Sequence, residues 1–244
     1  MHWNRQSKCF WKNRSNKITE QVDPPDGFQP PVIYTLARGQ MNTCDKCSAY
    51  GLRFSRAHRP EQFFEGKASS RIWIIGINPK NTIDYNDTRT DEQLRGYFDQ
   101  RWNVHGYFHD FDKVSAILYE LLGVEGGAGH TDLVKCYSPT WPPENGKSVP
   151  AQRAIVTNCQ GFLREQLSRG LPDLVICNGS PVCDNIRDII PVVEDHDTYY
   201  YGKLNGKKIA VVLAGFIGRI DDYAKRRLGK EVEKLMKEFG IQKG

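Results

Sequence analysis

The sequence predicts an α/β protein of three layers, α/β/α, around a central, mostly parallel four-stranded sheet. Two observations carry this. Four short runs, Arg71–Ile77 (RIWIIGI), Thr131–Lys135 (TDLVK), Asp173–Cys177 (DLVIC) and Lys208–Leu213 (KIAVVL), are near-continuous in Val, Ile and Leu, as strands buried on both faces are. Helical patterns alternate with them, at Phe111–Leu122, Pro150–Arg169, Pro181–Ile190 and Asp221–Phe239, and crossover helices of this kind leave the strands they join parallel.

The elements follow in order. RIWIIGI runs into GINPK at 76–80, where Asn-Pro ends the strand. Ser148 is the expected N-cap of the helix that opens at Pro150, a position where the missing proline N–H costs nothing. DLVIC leads into Asn178-Gly179-Ser180, a strand–Gly–helix turn. Asn205-Gly206, inside TYYYGKLNGKKIAVVL, predicts a two-residue hairpin that makes one edge of the sheet antiparallel. GVEGGAGH (123–130) and SPTWPPENGKSVP (138–150) read as long loops. Residues 1–40 read as a basic N-terminal extension and 41–244 as a single domain.

With 39% hydrophobic residues the 244-residue chain can bury a full core. No run approaches the roughly 18 apolar residues of a membrane helix, so no membrane span is expected. The opening MHWNRQSKCFWKNRSNK lacks an apolar stretch and does not read as a secretory signal, so a reducing, cytoplasmic compartment is expected. The formal net charge is +5, with Arg5, Lys8, Lys12, Arg14 and Lys17 free of carboxylates at one end and Lys225, Arg226, Arg227 and Lys230 near the other. Such a distribution suits a polyanionic partner, or merely solvated faces.

Seven cysteines in a reducing compartment are read for metals before disulfides. Cys44 and Cys47 form a C-x2-C turn suited to zinc or to an iron–sulfur cluster. Cys136 ends the TDLVK run, and Cys159 shares a helical face with Ile155, Phe162 and Leu163, where it is equally readable as a small core residue. Cys9, Cys177 and Cys183 read as core or reactive thiols.

Taken together, the C-x2-C pair, a following strand that ends in Gly-x-x-Pro, a third Cys in a strand-end V-K-C and a fourth on the next helix resemble the iron–sulfur members of the uracil-DNA glycosylase superfamily. The resemblance spans roughly residues 40–240. GINPK is similar to the GINPG first motif of mismatch-directed uracil glycosylases, and TDLVKC to a TNVVKC-type strand. It implies a [4Fe-4S] cluster on Cys44, Cys47, Cys136 and Cys159, with tetrahedral zinc as second choice. It also implies a base pocket at Gly76, Ile77, Asn78 and Pro79, in which Asn78 positions the attacking water. Asn-Pro as a plain turn former is the competing account of those residues.

Further roles follow by position. Asp132 stands where the family has an Asn that reads the base edge. An ionised Asp only accepts hydrogen bonds, so a base with an amino group fits better than uracil unless burial keeps the acid protonated. Asp132 as the cap of a local turn is the simpler alternative. Tyr107 or Phe108 supplies the stacking aromatic, Asn178 lies at the strand–Gly–helix turn, and Phe216, Ile217 and Arg219 are candidates for a minor-groove wedge or for a loop tucked onto the core. His105, His109, Asp84 and Asp87 are weaker candidates.

Two departures stand out. Lys80 replaces a motif glycine, so its side chain must turn away, toward a DNA phosphate. The second motif, a His-Pro-Ser or Asn-Pro-Ser turn, is replaced by LAGFIGRIDDYAKRRL, and no histidine follows His196. Backbone amides at Ala214–Phe216 are then the expected donors to the leaving base. The expected function is a DNA glycosylase that releases a deaminated or damaged base and acts on DNA as a monomer. The alternative is a superfamily member that binds DNA or a nucleotide without base release, with a redox-sensing cluster.

Overall fold

In the computed structural model, Ile72–Gly76 (β3), Ala128–Asp132 (β4), Leu174–Asn178 (β5) and Lys207–Gly215 (β8) form the parallel part of a sheet in the order β4-β3-β5-β8. The residues described are 42–56, 59–80 and 106–242, all within the compact unit Leu36–Gly244. Beyond β8 come Tyr199–Leu204 (β7) and Val192–Asp195 (β6), both antiparallel to their neighbours. The sheet therefore has six strands, and the expected four are its parallel part. β6 escaped sequence reading because all four of its residues, VVED, are exposed at the sheet edge and carry no burial pattern. A separate antiparallel ribbon joins Asn42–Cys44 (β1) to Phe54–Arg56 (β2).

The described helices are Gly106–Val114 (α1), Ala116–Glu120 (α2), Val149–Gly170 (α3), Ser180–Ile186 (α4) and Asp222–Glu238 (α5). Alternation along the strands divides the core in two. Trp73, Ile75, Val175, Cys177 and Val211 pack with Ile155, Leu163, Leu167 and Ile186 of α3 and α4 on one face. Ile72, Ile74, Ile176 and Val212 pack with Phe108, Phe111, Leu118, Val232 and Leu235 of α1, α2 and α5 on the other. Helices thus cover both faces, as the continuous apolar runs require.

Local signals placed most ends correctly. Ser148 caps α3 by accepting from Ala151 N at 3.3 Å, and Asp221 caps α5 by accepting from Ala224 N at 2.8 Å. Asn205 and Gly206 turn the β7–β8 hairpin with φ of 48° and 84°, as a type I′ turn needs.

Three elements differ from expectation. The helix expected at Phe111–Leu122 is two helices, broken at Ser115, whose hydroxyl accepts from Leu118 N (3.2 Å) and donates to Glu233 (2.6 Å). Gly229 of α5 fits against this break, since a Cβ there would stand 1.7 Å from the Val114 carbonyl oxygen. α4 ends at Ile186, short of Ile190. β4 begins at Ala128, inside the segment expected to be a loop, and Leu133 and Val134 lie beyond its end, donating to the carbonyls of Gly76 and Ile77 at 2.9 Å each. Its glycines hid it: a Cβ on Gly129 would meet the Phe64 ring at 2.2 Å, so an aromatic from outside the strand supplies the burial that β4's own side chains do not.

Candidate active site

Parallel strands aim their carboxyl ends at one rim, where ligands of open α/β sheets bind. Here the ends of β3, β4 and β5 border a cavity of about 150 Å³. Gly76, Ile77, Asn78, Pro79, Tyr107, Phe108, Asp132, Asn178 and Phe216, all singled out from sequence, line it. Phe63, Glu65, Lys80 and His130 line it too.

Asn78 is the best-defined group. It is 6% exposed, and its Nδ2 donates to the carbonyls of Pro79 and Ser138, both at 2.8 Å. Two carbonyl neighbours fix which end of the amide is nitrogen. Oδ1 is left buried with no hydrogen-bond partner among the described residues. Such an orphan acceptor costs about 1–3 kcal/mol unless water or a ligand donates to it.

Asn178 is used differently. Its Nδ2 donates to the Tyr107 hydroxyl (2.7 Å) and its Oδ1 accepts from Ile217 N (2.9 Å), so it ties β5 to α1 and to the loop after β8. It positions the wall. Phe108 is 1% exposed within the helical core, while Tyr107 is half-buried, 4.9 Å from it edge to face.

Sequence reasoning missed a buried polar cluster. His130 Nδ1 lies 2.6 Å from Glu65 Oε2, and His130 Nε2 lies 3.8 Å from Asp132 Oδ1. Their residues are 7%, 3% and 5% exposed. The Glu65 backbone exchanges two hydrogen bonds with that of His130, at 2.8 and 2.6 Å, which seats the 63–66 segment on the edge of β4. Two-residue periodicity turns His130 and Asp132 to one face. A Cβ built on Gly76 would stand 2.5 Å from Asp132 Oδ1, 2.9 Å from His130 Nε2 and 3.3 Å from the Tyr107 hydroxyl, so three polar atoms converge where glycine leaves room. Had β4 been placed correctly, His130 was legible two positions before Asp132. Glu65 gave no signal.

At the mouth, Lys80 Nζ and the Arg219 guanidinium lie 5.6 and 5.5 Å from the centroid of the half-buried Phe216 ring. Arg219 itself is exposed and does not line the cavity. Ile217 is 1% exposed in the core and belongs to no wedge. Lys225 is also buried, paired with Asp110 at 2.9 Å, which removes it from the basic surface; Arg226, Arg227 and Lys230 are exposed. His109 is exposed, edge-on to Tyr119 at 6.0 Å, and is not among the cavity lining. His105, Asp84, Asp87, Cys9 and the basic N-terminal stretch lie outside the described residues.

Four cysteines from three segments meet on the other face of the sheet. Cys47, Cys136 and Cys159 are 3%, 4% and 3% exposed in one apolar cluster, and Cys44 packs against it. The Cys136 thiol donates to the Cys159 sulfur, which lowers Cys159 to about 7, while the same bond, burial and the neighbouring sulfurs of Cys159, Cys47 and Cys44 push Cys136 up. Burial also raises Cys47, against a hydrogen bond from Asn158 Nδ2 at 3.4 Å. The Lys135 N–H supports Cys159, and its buried Nζ donates to Thr131 Oγ1, the Asp132 carbonyl and Gln166 Oε1 at 2.7, 2.5 and 2.5 Å. Four mutually interacting thiols with N–H donors form a donor set that fits an iron–sulfur cluster. Among the described residues no three His, Cys, Asp or Glu side chains are close enough together to hold a single metal ion. Cys177 and the half-buried Cys183 form a separate pair, in which the Cys183 thiol donates to the Cys177 carbonyl at 3.7 Å and the neighbouring Cys177 side chain lowers Cys183 to about 7.

No protein-family model matches the chain, and no curated protein matches it. No described helix is long and apolar enough to cross a membrane.

Proposed function

We propose that this protein is a DNA-base glycosylase of the uracil-DNA glycosylase superfamily, hydrolysing the N-glycosidic bond of a deaminated or damaged base and acting on DNA as a monomer. One observation carries the reading: the orphaned Asn78 Oδ1, buried at the carboxyl end of β3 in a small cavity walled by aromatic rings.

The chemistry follows from which groups are committed. Asn78 Nδ2 is held by two carbonyls, so Oδ1 can only accept, and a water that donates to it presents a lone pair to C1′ of a flipped nucleotide. The amide takes no proton. None is needed early, because departure of the base leads the reaction and leaves an electrophilic sugar carbon. Asp132 faces the base edge as an acceptor, and the half-buried Tyr107 ring is the stacking surface. Phe216, flanked by Lys80 and Arg219, is the element suited to hold the space a flipped base vacates, with the two cations toward phosphates.

Cys44, Cys47, Cys136 and Cys159 would hold a [4Fe-4S] cluster, which supplies a structural clasp. They draw the ribbon, the loop after β4 and α3 together behind the pocket. A second reading, DNA or nucleotide binding without base release, draws support from the loop after β8, which offers no histidine and whose Ile217 N–H is already given to Asn178. One experiment separates the two: the pure protein is incubated with oligonucleotides bearing uracil, hypoxanthine, xanthine or a mismatch, followed by alkaline cleavage. Abasic strand breaks support the glycosylase; tight binding without breaks supports the binder.

A further inference from the structure

The Glu65–His130 pair is a built, buried group for which the reading above has no use. We infer that His130 is the leaving-group donor of this pocket, held through Nδ1 by the Glu65 carboxylate with Nε2 directed at the departing base. The inference rests on the glycosylase reading.

The geometry leaves one nitrogen available. Nδ1 is engaged at 2.6 Å by a carboxylate whose residue is 3% exposed, which sets the ring's orientation. Nε2 is buried and has no hydrogen-bond partner among the described residues, and His130 lines the cavity. Among the described residues the groups around the ring are Glu65 from the 63–66 segment, Asp132 from its own strand, and Tyr107 and Phe108 from α1, with ring centroids at 5.4 Å from His130 in both cases. With Nδ1–H given to Glu65, Nε2 donates when it too carries a proton, and the Glu65 and Asp132 carboxylates lie beside the ring at 2.6 and 3.8 Å. Within the same cavity, Asn78 Oδ1 is an acceptor without a partner among the described residues. The pocket thus holds a donor for the base and an acceptor for water on different strands.

The step balances. The C1′–N bond breaks and its electron pair leaves on the base, where a ring or exocyclic atom takes the Nε2 proton. Water held by Asn78 adds to C1′, and the proton it loses to solvent is matched by the one that restores Nε2–H. Glu65 acts through the His130 ring, whose Nδ1 its carboxylate holds at 2.6 Å, so its role is that of a positioning residue. The donor missing from the loop after β8 is in this way supplied from β4.

The test compares single-turnover release of uracil and of 5-fluorouracil from otherwise identical duplexes. Fluorine stabilises the departing anion and reduces its need for a donor. His130→Gln is expected to slow uracil release on the order of 10²-fold and 5-fluorouracil release much less. Glu65→Gln is expected to change the ratio in the same direction by a smaller factor. Thermal melting and iron content of both variants show whether the fold survives. Equal losses on the two bases, or losses that follow the melting temperature, overturn the inference. Unchanged release in both variants overturns it alone, whereas no release of either base by the wild-type protein overturns it together with the glycosylase reading.

Discussion

Replacing Asn78 by Asp adds the carboxylate that a general base would use, yet the structure predicts a loss. The Asn78 nitrogen donates to two carbonyl oxygens at 2.8 Å each, and an ionised Asp would set a negative oxygen against both. Two hydrogen bonds of about 1 kcal/mol each disappear, and a buried anion facing acceptors adds about 1–3 kcal/mol more. The sum, about 3–5 kcal/mol, lowers Tm by roughly 6–20 °C at the ~2–4 °C per kcal/mol of a domain this size. Asn78→Ala loses the same two bonds but also removes the orphan Oδ1, whose cost of about 1–3 kcal/mol offsets them, so a change of about −1 to +1 kcal/mol is expected, with Pro79 O retaining its bond from Ser138 N at 3.0 Å. Differential scanning calorimetry gives the two melting points, and single-turnover release on the base the wild type removes gives the chemistry. Asn78→Ala is expected to retain DNA affinity and lose release, since the water-holding contact matters in the transition state. An Asp variant as stable as wild type and more active would refute the assignment of the amide, and an Ala variant with normal release would refute the role of Asn78.

Anaerobically purified protein is expected to be brown, to absorb broadly near about 400 nm and to carry about four irons per chain. Cys136→Ser is expected to lower iron content and solubility together, while Cys183→Ser, outside the four-cysteine set, changes neither; stoichiometric zinc in a colourless protein would overturn the cluster. Asp132→Asn restores a donor–acceptor edge for uracil, so the ratio of uracil release to native-base release is expected to rise by an amount on the order of ~1–3 kcal/mol, and an unchanged ratio would remove Asp132 from base recognition. Neutralising Arg219, Arg226, Arg227 and Lys230 is expected to weaken DNA binding without sequence preference and to flatten its salt dependence. Lys225→Ala is expected instead to lower stability by about 1–3 kcal/mol, less than for a fully buried pair because Asp110 stays one-third exposed, with DNA affinity of the folded protein unchanged.

What the chain declares by itself is what depends on neighbours in sequence. Ser148 and Asp221 cap helices through amides three residues on, Asn205-Gly206 turns a hairpin alone, and the runs around Ile74, Ile176 and Val211 are apolar throughout because both sheet faces are covered. In the candidate pocket GINP was legible as the end of a strand, whereas Asp132 was marked only by its position in the family resemblance, since β4 is buried throughout and shows no alternation. Tertiary structure decided the rest. β4 is a strand at Ala128-Gly129-His130 because Phe64 fills the space above a glycine, and β6 is one because it pairs with β7 while facing solvent. Glu65 reaches His130 across 65 residues, Lys225 leaves the basic surface to meet Asp110, and the Asn78 amide takes its orientation from Ser138, 60 positions away. Caps and turns close a few residues apart and are visible in local order, whereas a buried ion pair or an orphaned acceptor exists only once packing has excluded water and chosen its partners.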